Sequence, residues 1–304
     1  MFAPPPRLTA EIHASLPEPL RKREGSNDWL RSQPYTLPGG SFLEGPVFDR
    51  DGNLYCTDVA WGRIFRMSPQ GEFTVVAEYD GEPNGMKFHR DGRLFIADFK
   101  QGILVLDTAT GRIEPFLLRA RSERFKGVND LTFASNGDLY FTDQGMTGLH
   151  DSTGRVFRCR ADGRVECLLD NVPSPNGLVL NAAENILYLA VTRANAIWRV
   201  PLLPDGGVTK VGTFIQMSGG GGPDGLAIDE AGNLVVAHVG MGAVWVFTPR
   251  GEPLYRIDSP AGANTTNVAY GGADYRELFV TESESASILR VHLPVPGRRL
   301  FGGP

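Results

Sequence analysis

Glu44, Asn84, Asn129, Asn176, Asp224 and Asn267 each stand ten or eleven residues ahead of a Leu that opens a strand-like segment. The segments read "FLEGPVFDRDGNLYCTD", "PNGMKFHRDGRLFIAD", "VNDLTFASNGDLYFTD", "PNGLVLNAAENILYLAV", "PDGLAIDEAGNLVVAH" and "TTNVAYGGADYRELFVTE". All six side chains end in an oxygen, and none is His or Cys. Carboxylates and carboxamides gathered at one place suit a hard cation such as Ca²⁺ or Mg²⁺. Four residues after each Leu come Asp58, Asp98, Asp143, Val191, His238 and Glu282. This second, mostly polar set is placed to orient the first, to bind substrate or to exchange a proton.

Such a gathering needs elements that bring six distant positions together. The opening residues Leu54, Leu94, Leu139, Leu187, Leu234 and Leu278 are separated by 40, 45, 48, 47 and 44 residues. A period of that length, with several short strands per unit, is that of β-propeller blades. In the third unit the strands are "DLTFA", "DLYFTD", "GRVFRCR" and "VECLLD", joined by the hairpin formers "SNGD" and "ADGR". The expectation is an all-β fold, a six-bladed β-propeller of four-stranded antiparallel blades, in which the innermost strands start around one mouth of the central channel. Residues 1–34 match no repeat and read as an N-terminal arm, helical at "PLRKR", ahead of a propeller over 35–304. A closed ring needs an outermost strand for the sixth blade from a chain end, either "QPYTLPGG" or "RRLFGGP".

Each motif also has a plainer reading. A single Asn or Asp before Gly is a turn former; six oxygens at matched positions read as a ring. An Asp at a strand end commonly bonds loop amides, and His238 reads equally as a hydrogen-bonded core residue or a proton carrier. "SGGGGPDG" lacks the Lys-Ser/Thr ending and following helix of a phosphate loop, and no GxSxG is present. Cys56, Cys159 and Cys167 have no CxxC spacing and read as buried reduced thiols. A formal charge of −5 gives no footprint for nucleic acid or an anionic membrane surface. No run reaches membrane-spanning length and the N-terminus lacks a signal-peptide core. The expectation is a cytoplasmic monomer acting on a small molecule.

The motifs "LEGPVFD", "GVNDLTF", "YFTD", "SPNGLVL", "GPDGLAID" and "ELFVTES" together resemble the senescence marker protein, gluconolactonase and luciferin-regenerating enzyme family, from Phe42 to Leu293. The resemblance implies a six-bladed propeller with a divalent metal at the channel mouth. It places the metal ligands on Glu44, Asn176 and Asp224, with Asn129 binding metal or substrate, and makes Asp224 the proposed base or nucleophile. Animal members carry an Arg two residues before the third-blade Asn, where it contacts the sugar acid; here that position is Gly127, with Lys126 beside it.

A lactone needs its carbonyl polarised, its attacking water deprotonated and its oxyanion stabilised, and a metal serves the first and last needs. The resemblance therefore implies hydrolysis of a sugar lactone, with Ca²⁺ in the site and Mg²⁺, Mn²⁺ or Zn²⁺ as alternatives. Asp143 and His238 are alternative proton carriers. Loops between second and third strands should wall the substrate, with Trp61, Met146 and Arg193 as contacts. Two other readings stay open: a phosphotriesterase of the diisopropylfluorophosphatase type, and a propeller that binds ligand without catalysis.

Overall fold

The structure, a computed structural model, describes residues 4–33 and 40–303. Six antiparallel sheets follow one another along the chain as blades, each ordered from the channel outwards. Blade 1 comprises β3 (Leu43–Phe48), β4 (Leu54–Asp58), β5 (Arg63–Met67) and β6 (Phe73–Glu78). The innermost strands of blades 2 to 6 are Pro83–Phe88, Val128–Phe133, Pro175–Leu180, Gly222–Ile228 and Thr265–Gly271. Tight turns set the spacing. At Arg50–Asn53 the Asp49 carboxylate accepts from the amides of Asp51 and Asn53, at 3.0 and 2.8 Å, and Gly52 takes the positive φ of 81° that the turn requires.

The core consists of layers between neighbouring blades. Val47, Tyr55 and Ile64 of blade 1 pack against Met86, Ile96 and Leu104 of blade 2. The seam repeats this arrangement, with Phe279 and Ile288 of blade 6 against Leu43, Phe48 and Phe65 of blade 1. Alternating apolar residues on both faces of each sheet produce this pattern, because every blade is covered on two sides.

Ring closure differs from expectation. The outermost strand of blade 6 is β2 (Glu11–Ser15), from within the arm, paired antiparallel with Ser287–His292. β1 (Arg7–Thr9) runs parallel to Pro253–Asp258 and gives blade 5 a fifth strand. "QPYTLPGG" falls mostly on residues 34–39, outside the described residues, and "RRLFGGP" forms no strand among its described residues. The short alternating run "RLTAEIHAS" carried the strand pattern. The arm helix is α1 (Asp28–Ser32), whereas "PLRKR" forms no helix and begins in a turn. Asn27 supplies the cap that "PLRKR" lacks, accepting from Leu30 N at 2.9 Å. The three cysteines are free; Cys56 and Cys159 are buried, but Cys167 is exposed, on the outermost strand of blade 3. Among the described residues no helix is long and apolar enough to cross a membrane.

Candidate functional site

In every blade the ladder slips at the start of the innermost strand, between Glu44 and Val47, Pro83 and Met86, Val128 and Leu131, Pro175 and Leu178, Pro223 and Leu226, and Thr265 and Asn267. A bulge re-aims the side chains beside it, and here it recurs at the ring position. Gly45, Gly85, Gly177 and Gly225 follow the ring residue in four blades. A Cβ on Gly177 would lie 2.8 Å from Gly225 Cα, so the strands converge on the axis only where no side chain intervenes.

Hairpin pairing corrects one ring position. Leu54, Leu94, Leu139, Leu187, Leu234 and Leu278 pair with Phe48, Phe88, Phe133, Leu180, Ile228 and Tyr270. Four residues before these partners stand Glu44, Asn84, Asn129, Asn176, Asp224 and Thr266, not Asn267. The blade 6 hairpin, from Tyr270 to Leu278, is longer than its counterparts, and counting from the Leu stops one residue short. Asn267 lies one step deeper, level with Asp130 of blade 3. Their side chains occupy the space that a Cβ on Gly225 and Gly85 would fill.

Glu44, Asn84, Asn129, Asn176 and Asp224 line one cavity of about 500 Å³ at the front mouth. All five are buried. Glu44 Oε2 accepts from Gly45 N at 2.7 Å and Asn267 Nδ2 at 2.8 Å. Burial still pushes its carboxyl up to about 7, with the Asp130 charge adding to the rise and the Asn267 and Gly45 hydrogen bonds and Lys87 opposing it. Asp224 is raised well above its ordinary value by burial, then by the charges of Glu44 and Asp130; Arg193 and a hydrogen bond with Asn176 act against this. Lys87 Nζ stands 4.0 Å from Asp130 Oδ1, deeper in the channel. Three carboxylates therefore crowd the axis. Such a cluster is stable as anions only with opposing charge close by.

Asn129 is held by a chain of hydrogen bonds that sequence reasoning missed. Its Nδ2 donates to Gln144 Oε1 at 3.1 Å, and Gln144 Nε2 donates to Ser174 Oγ at 3.0 Å. Thr147 Oγ1 accepts from Ser174 N at 3.1 Å and donates to Gln144 O at 2.6 Å. The amide is thereby turned so that Asn129 Oδ1 is buried with no hydrogen-bond partner, an unmet acceptor on a residue of the cavity wall.

Met146 and Arg193 line the cavity; Trp61, Asp143 and His238 do not. Asp143 accepts from Lys126 N, Gly127 N and Arg155 Nε at 2.7, 2.9 and 2.7 Å, pinning the loop ahead of its blade's innermost strand. Asp58, Asp98 and Glu282 do the same through Phe42 N, Glu82 N and Asn264 N. His238 Nε2 is 2.9 Å from Gly219 O, and burial lowers its pKa. Trp61 Nε1 donates to Gly40 O at 3.1 Å, while its ring lies where a Cβ on Gly25 would project. The arm supplies Trp29, Ser32 and Gln33 to the wall instead. No repeat marked them. Asp130 was legible as the one acidic residue where four other blades carry Gly.

Comparison with known proteins gives the family and the fold. Residues 42–284 match the family described as SMP-30/Gluconolactonase/LRE-like region. Lactonase drp35 of Staphylococcus haemolyticus is 34% identical over 233 residues, 73% of this chain and 70% of the relative. A gluconolactonase of Xanthomonas campestris superposes with a TM-score of 0.73 at 23% identity, covering 85% of this chain and 86% of that one. Regucalcin of Agrobacterium tumefaciens, a calcium-binding protein, gives 0.74 at 22% identity and covers 98% of each chain. The structural matches share the propeller; the sequence matches add kinship. The chain belongs to the SMP-30/gluconolactonase/LRE-like family.

Proposed function

We propose that the chain hydrolyses a lactone at a divalent cation, Ca²⁺, held by Glu44, Asn129, Asn176 and Asp224. The observation that carries this reading is the buried, unpartnered Asn129 Oδ1 on the same cavity as two carboxylates raised by burial. An all-oxygen set with two acids fits a hard cation, which would offset the crowding of anions. The kinship with lactonase drp35 supports the reaction class.

When bound, such a cation polarises the ester carbonyl and stabilises charge on its oxygen. Asp224 takes the proton of the attacking water at a carboxylate oxygen and returns it to the ring oxygen as the ester C–O bond breaks, giving a hydroxy acid. Asn176 bonds Asp224 and keeps that carboxylate oriented. Gln144 fixes the amide of Asn129. With Asp143 committed to loop amides and His238 to Gly219 O, Asp224 is the proton carrier in this reading. A cavity of about 500 Å³ has room for a lactone ring and its substituents. The free cysteines fit a reducing cytoplasm, and the closed seam fits a monomer.

The test strips the protein with chelator and follows acid release from D-glucono-δ-lactone and simple δ-lactones as Ca²⁺, Mg²⁺, Mn²⁺ and Zn²⁺ are returned singly. Turnover that depends on returned metal is the expected result. Acid release unaffected by chelation, or tight metal binding with no lactone cleaved, would overturn the reading.

A further inference from the structure

The lactonase reading leaves open what the lactone ring carries, and the walls above the oxygen ring bear on it. Trp29 is delivered by α1, which is tied down by Asn27 Nδ2 donating to Ala60 O. Its ring is buried against Val59 and Ala60, 5.0 Å from the Phe42 ring. Phe99 follows, seated over Gly127: a Cβ there would stand 2.6 Å from two of its ring carbons. An aromatic face thus covers the position at which a longer residue 127 would project. Met146 and Leu149 complete the rim, 51% and 72% exposed.

Four polar side chains on the same walls, Ser32, Gln144, Thr147 and Thr192, are committed to the protein. Ser32 Oγ donates to Trp29 O at 2.7 Å, and Thr192 Oγ1 to Pro223 O at 2.8 Å. Gln144 is bonded at both ends of its amide, and Thr147 Oγ1 both donates and accepts. A polyol entering this cavity needs a partner for every hydroxyl it withdraws from water, and unmet partners are costly. An apolar group needs only area to cover. Exposed large apolar side chains continuous with a polar site mark a binding surface.

We propose that Trp29, Phe42, Phe99, Met146 and Leu149 form a subsite for an apolar substituent, so that the preferred substrate is an alkyl-substituted lactone and not a polyhydroxylated one. This rests on the lactonase reading for its chemistry but not for its binding, and the two are tested separately. Turnover is compared for three δ-lactones of one ring size: δ-decalactone, δ-valerolactone and D-glucono-δ-lactone. The expected order of kcat/KM follows that sequence, with δ-decalactone at least ~10-fold above the bare ring. Binding of the corresponding lactams is measured by calorimetry on chelator-treated protein, where the decalactone analogue should bind tightest. L149S should lower the kcat/KM ratio of δ-decalactone to δ-valerolactone about threefold, through KM. W29A should lower it further, with circular dichroism checking the fold. If D-glucono-δ-lactone is cleaved as well as δ-decalactone, or the lactams bind alike, the subsite is refuted while the lactonase reading stands. If no lactone is cleaved but the alkyl lactam binds tightest, the lactonase reading falls and the subsite stands.

Discussion

The two mouths of the channel are built from the same six strands and differ in nearly everything else. At the front, bulges turn oxygen-bearing side chains towards the axis around a cavity of about 500 Å³. At the back, Val47, Phe88, Leu178, Ile228 and Tyr270 leave about 40 Å³, with Leu300 across it. Arg298 donates to Leu180 O at 3.1 Å and Asn181 O at 2.6 Å, and the Phe301 ring lies between Phe133 and the Arg90 guanidinium. The repeat itself is neutral as to function. Irregularity at one end of each strand makes a site; regular apolar alternation at the other end makes a floor.

The largest expected effect is at the front. D224A should lower metal-restored lactone turnover ~10²–10⁴-fold while the thermal midpoint stays near wild type; unchanged kcat in a well-folded variant would remove Asp224 from the reaction. Next, Q144A should weaken Ca²⁺ binding ~10–100-fold by freeing the Asn129 amide, as read by calorimetry. Q144E keeps the acceptor for Asn129 Nδ2 and should recover much of that loss. An equal loss in both variants would show that Gln144 matters for packing alone.

At the back mouth, F301A should cost about 1–2 kcal/mol of stability and leave Ca²⁺ affinity unchanged. A loss of affinity there would mean that the floor and the site are coupled. The smallest effect is expected on the outer wall of blade 3. Hydrogen bonds from Arg160 and then Arg158 hold the Glu166 carboxyl down to about 2, against an ordinary value of 4.5. A depressed folded pKa contributes stability above the ordinary value, which is lost as pH falls from about 4.5 through about 2. E166Q should therefore flatten acid denaturation over that window by about 1 kcal/mol, since Glu166 is partly exposed and its bridges to Arg158 and Arg160 are screened by solvent. An unchanged acid limb would show that these bridges add nothing.

The propeller was legible because each blade repeats a Leu-initiated strand, and five of six ring positions followed from counting back from that Leu. Blade 6 defeated the count because its hairpin is longer, an insertion that a fixed offset does not register. For Asp58, Asp98 and Glu282 loop amides are one of two readings of a strand-end acid, and the structure takes that one; the sequence does not choose, since the partners lie in the loops preceding other strands. Trp29 and the closing strand were hidden for a different reason. Both belong to the arm, which has no sister segment to be compared with; the closing strand pairs with residues far along the chain, while Trp29 packs on Phe42, Val59 and Ala60 of the first repeat.

The seam joining Glu11–Ser15 to Ser287–His292 also sets an order of events. Its partners Ser15 and Ser287 are 272 residues apart, and non-local pairing of that kind slows folding. During synthesis β2 must wait until Ser287–His292 has emerged before it can pair, and until it does blade 6 has an open edge. α1 follows the seam strand closely and carries Trp29 to the mouth. Trp29 can settle early on Phe42, Val59 and Ala60, but the oxygen ring draws on blades 1 to 5, so a nascent chain acquires its binding pocket only after Asp224 has emerged.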